Sequence, residues 1–150
     1  MKNHPPIHYR LYISRRGQTL VEAVAAIALT IIVTTSLVGL GVGAIRSATV
    51  ARNRSKATAY AQEAIEALRS IRDRSYAELA SCGSGSYRII WSSSQWSCQS
   101  GTEDLDPFTR SFAVINLDSG KRLRVAVTVG WRDIAGDHNI VLYAYFTNWR

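Results

Sequence analysis

The chain is short of the residues on which most enzyme chemistry depends. Among 150 residues there are 3 histidines, 2 cysteines, 3 prolines and 1 methionine. His4 and His8 stand in the basic N-terminal stretch, and the third, His138, falls in a segment that reads as a turn. None is placed to partner a nucleophile, and Ser92-Ser93-Ser94 reads as a polar loop rather than an activated serine. Two cysteines are too few for a zinc site. Glu103, Asp104 and Asp106, just before Pro107, lack the ligand spacing of a calcium loop and read as a solvated turn. No catalytic residue, metal or cofactor is expected. Proline is absent between Thr19 and Leu79, which leaves a long helix uninterrupted. Lys, Arg and His are absent from residues 23–45.

That last absence frames what is present. Residues 20–45 form an almost unbroken apolar run, too long for the roughly 7–15-residue core of a secretory signal and long enough for the roughly 20 residues of a membrane helix. Two residues into the run stands Glu22, and just before it come Arg15, Arg16 and Gly17. A carboxylate on the hydrocarbon side of the interface costs several kcal/mol unless matched, and such a residue usually has a function with a partner charge. With no cation in the segment, the partner must lie elsewhere, and one candidate is another copy of the chain.

The formal charge of +7 is largely a property of the first seventeen residues, which hold Lys2, Arg10, Arg15 and Arg16 and no acid. Without those four, fourteen basic side chains face eleven acidic ones, about +3. A nucleic-acid reading built on isoelectric point alone would be misled. Positive charges flank both ends of the apolar run (Arg46, Arg52, Arg54 and Lys56 follow it), so charge does not set orientation.

Gly17-Gln18-Thr19-Leu20-Val21-Glu22 and the apolar stretch after it resemble the class III signal of type IV pilins and of type II secretion pseudopilins. The resemblance implies cleavage by a prepilin peptidase between Gly17 and Gln18. Glu22 then becomes the fifth mature residue, a charge that sets register during assembly. In that family the new N-terminus is usually an N-methylated phenylalanine; here Gln18 holds the position, so N-methylation of Gln18 is carried over less directly. The implied partners are a prepilin peptidase, other pilin or pseudopilin subunits, an inner-membrane assembly platform and, before assembly, membrane lipid. The implied location is the cytoplasmic membrane, single-pass, with the C-terminal domain outside the cytoplasm, and then a filament or pseudopilus. Residues 61–73 are similar to the same helix in minor pilins and the smaller pseudopilins.

The residue pattern gives the architecture. Residues 1–17 form a basic leader, 18–45 the membrane or filament-core half of a helix, and 46–150 an amphipathic helical half with a globular head. Gly39, Gly41 and Gly43 are read either as a soft break in the helix or as a small-residue packing face. Ala57, Ala61, Ala64, Leu68 and Ile71 recur at three- and four-residue spacing, an apolar stripe able to cover a sheet. The two halves together predict one helix of about 60 residues, roughly 90 Å at full rise. Residues 87–91, 112–117, 123–131 and 139–147 read as strands, with Asp118–Gly120 and residues 133–138 as turns and 92–107 as mostly loop. The expected fold is α+β and pilin-like, a long N-terminal helix on a small antiparallel sheet of three to four strands.

Cys82 and Cys98 are either bridged, as an exported domain favours, or two free thiols. Trp96, in a Ser/Gln loop, is expected to be the exposed aromatic. Two other functional readings stand beside the filament subunit. One is a DNA-binding minor pilin using Arg110, Lys121, Arg122, Arg124 and Arg132 on phosphates. The other is a plain signal-anchored protein with no filament role.

Overall fold

The computed structural model describes residues 18–133 and 136–148; the basic leader, Gly17 and Trp149 lie outside them. The chain divides into two units, Met1–Ser47 and Ala48–Arg150. Helix α1, Gln18–Arg74, contributes its first part to one unit and its remainder to the other.

In the first unit α1 exposes its apolar side chains, with Leu20 at 69% and Leu40 at 71%. By length and composition it is a candidate membrane span. Its hydroxyls find partners within the helix. Thr30 donates to the Ala26 carbonyl at 2.8 Å, Thr34 to Thr30 at 2.7 Å and Ser36 to Ile32 at 2.8 Å, and Thr35 donates to Ile31 at 2.9 Å. These bonds leave no hydroxyl among those four unpaired in an apolar surrounding. The helix continues through Gly39, Gly41 and Gly43, so the glycines do not break it. A Cβ at any of the three would meet nothing within 4 Å.

The second unit is a helix on a sheet. Ala57, Ala61, Ala64, Ala67, Leu68 and Ile71 are buried along one face of α1, and small alanine side chains let the helix lie close to the strands. At Ser75 the backbone turns extended (φ −155°, ψ 111°) and the helix ends. The Ser75 hydroxyl then accepts from the Glu78 amide at 3.2 Å, which caps the short helix α2, Tyr76–Ser81.

Six strands follow among the described residues: β1 (Tyr87–Ser92), β2 (Gln95–Ser100), β3 (Glu103–Leu105), β4 (Phe108–Leu117), β5 (Arg122–Asp133) and β6 (Gly136–Thr147). All pairings are antiparallel in the order β2-β1-β4-β5-β6, with β3 on β4 beside β1. The α+β expectation agrees with this architecture, but the sheet is larger than three to four strands. The added strands come from residues 92–107, whose Ser, Gln and Gly content obscured them. Gln95–Ser100 folds back on Tyr87–Ser92 across Ser93 and Ser94, and Glu103–Leu105 pairs with β4 across the cis Asp106–Pro107 bond.

Alternation sorts the long strands. Leu123, Val125, Val127, Val129 and Trp131 are buried on β5, and Phe108, Phe112 and Val114 on β4. In register, Phe112 lies opposite Val127 and Val127 opposite Leu142, so one continuous apolar face meets the alanine stripe of α1. No helix among the described residues covers the opposite face, whose rows include Ala113–Ala126–Tyr143 and Ile115–Arg124–Tyr145.

Candidate functional site

Three places in the chain hold residues that the sequence singles out. The first is the start of α1. Gln18 is its first residue and Glu22 its fifth, exposed among apolar neighbours, and no ion pair reaches Glu22 among the described residues. Gly17, the residue before the expected cleavage, lies outside the described residues.

The second is the junction of helix and sheet, where sequence reasoning misplaced a residue. Arg110 does not offer its charge to solvent: it is 3% exposed, on the helix-facing side of β4 between Phe108 and Phe112. Its Nε donates to Glu103 Oε2 at 2.9 Å and its Nη1 to the Tyr60 carbonyl at 2.8 Å. Nη2 lies 2.8 Å from the same Glu103 oxygen, and Nη1 3.5 Å from Glu63 Oε2. A buried guanidinium needs matched charge and filled donors, and β3 and α1 supply both. The acidic Glu103 thus belongs to a clasp rather than to a solvated turn.

Removing Arg110 leaves Lys121, Arg122, Arg124 and Arg132 of the proposed phosphate set. Arg122 pairs with Asp118, and Arg132 with Asp137 at 3.2 Å. Arg124 lies on the uncovered sheet face with its guanidinium 6.0 Å from the Tyr143 ring centre. Tyr143 and Tyr145, 61% and 60% exposed, stand on the same face. The sequence reading missed both, although their odd-numbered phase on β6 sets them opposite the buried Phe146.

Farther along this face a groove of about 400 Å³ runs over Gly130, lined by Thr109, Ser111, Thr128 and Asn139 among others. His138, placed by the sequence in a turn, lies on β6. Its ring stacks on Trp131 at 5.4 Å, and Nε2 lies 2.9 Å from Asp133 Oδ1. No group of His, Cys, Asp and Glu that could hold a metal occurs among the described residues.

The third place is the β1–β2 hairpin. Cys82, capping α2, is disulfide-bonded to Cys98 on β2, with Cα atoms 6.3 Å apart. Arg74 Nη2 donates to the Trp96 carbonyl at 2.7 Å. The hairpin is therefore fixed to both helices. Trp96 is half-buried against the core, contrary to the expectation that it is the exposed aromatic. Trp91, its cross-strand partner, holds that role at 60% exposure. Between them Ser93 and Ser94 both have positive φ, 50° and 61°. A two-residue hairpin turn demands that conformation, which asparagine and glycine adopt most readily. Each serine held there costs about 1–2 kcal/mol.

Comparison with protein-family models, with curated proteins and with solved structures returns no match.

Proposed function

We propose that the chain is a structural, non-enzymatic subunit of a type IV pilus or type II secretion-like filament, of the minor-pilin or pseudopilin kind. A prepilin peptidase cuts after Gly17, the first part of α1 rests in the cytoplasmic membrane, and the head stands outside the cytoplasm. The cleaved subunit then enters a filament through the same helix. The observation that carries this reading is Glu22, a carboxylate without a partner cation among the described residues, at the start of a segment whose apolar side chains are exposed. Such a helix needs a non-aqueous surrounding, and its one charge needs a match. A free amine at Gln18, of the same or an adjacent subunit, supplies one, because a buried pair is tolerated where a lone buried charge is not.

Replacing Glu22 with alanine is expected to leave cleavage intact and to abolish incorporation into filaments. Normal co-purification of Glu22→Ala with filaments would refute the assembly role. Mass spectrometry of the membrane form checks the cleavage: a mature chain starting at Gln18 is expected, and an intact Met1 would instead favour a plain signal anchor.

A second reading has one observation in its favour. Tyr143 and Tyr145 beside Arg124 combine stacking surfaces with a cation, as single-stranded nucleic acid requires. Binding of an oligonucleotide that weakens steeply with salt and is reduced in Arg124→Ala would support a DNA-binding minor pilin. Salt-independent binding would exclude it.

A further inference from the structure

We propose that the tip of the β1–β2 hairpin binds a neutral polysaccharide, with the Trp91 indole as its stacking surface. The proposal stands apart from the filament reading and does not need it. Trp91 is the one large aromatic ring that the hairpin leaves exposed, at 60%. It is held in place from beneath, because Trp96 meets it edge-on, centroids 4.9 Å apart and planes at 66°, and Trp96 is seated against the core. The Cys82–Cys98 bridge and the Arg74 bond to the Trp96 carbonyl fix the strand that carries Trp96. A ring braced by its neighbour in this way loses less freedom when a ligand arrives, which favours weakly held ligands.

The surroundings of the ring select the ligand class. Ser92, Ser93, Ser94 and Gln95 are all exposed, and all are neutral hydroxyls or an amide. Ser93 and Ser94 occupy left-handed positions where glycine or asparagine would sit with less strain, so hydroxyls stand at the tip despite the backbone. The cation of this hairpin, Arg88, is engaged by Gln99 Oε1 at 2.6 Å from Nη2. A sugar ring presents a face of C–H bonds to an aromatic π-surface and a rim of hydroxyls to polar side chains. Phosphate polymers and anionic lipid call for free cations, which the tip lacks. A dry protein contact calls for several apolar neighbours around the anchor, and residues 92–95 provide none.

The test is co-sedimentation of the full-length, detergent-solubilised chain with cellulose, chitin and an uncharged β-glucan, at low salt and at about 0.5 M NaCl. Binding to at least one polymer at both salt levels is expected. Trp91→Ala should lower the bound fraction about tenfold or more, and Trp91→Tyr should keep most of it. Thermal unfolding of both variants checks that the fold is intact. Failure to bind any of the three polymers overturns the proposal, as does equal binding by Trp91→Ala or loss of binding in salt. A Trp91→Ala effect on filament incorporation without one on polymer binding also overturns it, and assigns Trp91 to a protein contact. N-terminal mass spectrometry on the same material tells whether the filament reading fails separately.

Discussion

Arg110 and Tyr76 carry polar bonds where helix, sheet and turn meet, and each can be removed singly. Arg110→Ala strips the half-buried Glu103 of its partner and frees the Tyr60 carbonyl, so unfolding free energy should fall by about 3 kcal/mol, measured by urea denaturation. Arg110→Met should cost less, since it keeps the packing volume between Phe108 and Phe112. Tyr76 donates its phenol to the Gly120 carbonyl at 2.8 Å, tying α2 to the turn before β5. Tyr76→Phe should cost about 1 kcal/mol. Burial raises the Tyr76 phenol above its ordinary 10.0, so the folded state keeps a proton that the unfolded state releases. The stability tied to this group is present below pH 10.0 and lost as pH climbs above it, and Tyr76→Phe should lack that loss in alkaline melts. The inward place of Arg110 was legible: Phe108, Arg110, Phe112 and Val114 share one phase of a period-two strand. Starting the strand at residue 112 discarded the phase, and with it the arginine's direction.

At the scale of elements, the stripe on α1 and the alternation of β5 are strong signals, because one face of each must leave water. The Ser75 break and β3 are weak ones, each decided by a cap or a short pairing across the chain. β2 lies between. Gln95-Trp96-Ser97-Cys98-Gln99 does alternate, yet its apolar positions are one aromatic and one cysteine, and their inward role depends on the Cys82 bond and on pairing with β1. Replacing both cysteines with alanine should lower stability by about 3 kcal/mol, given a separation of 16 residues, and should loosen the hairpin. Denaturation of the variant against the oxidised parent, with hydrogen exchange at β2, would check both. The helix–sheet contact is set by small side chains. Ala61→Leu, at a position with no exposure, should overpack the interface and cost about 1–3 kcal/mol in thermal unfolding.

For the whole molecule, two different environments are written into one chain. The second unit hides its apolar residues in a core, whereas the first presents them outward. The chain should therefore stay with the membrane pellet through high-salt and alkaline carbonate washes, and release into the supernatant would contradict a spanning helix. What the head contacts was less legible, because exposure of Trp91, Tyr143 and Tyr145 depends on which face α1 covers, and that is a tertiary fact. The back-bonded hydroxyls of Thr30, Thr34, Thr35 and Ser36 carry a consequence for movement. A helix whose hydroxyls are satisfied by its own carbonyls demands nothing from its neighbours. If the chain assembles as proposed, it exchanges lipid tails for the flanks of other helices without breaking one of these bonds, and on that proposal the Glu22 carboxylate alone discriminates between the two settings.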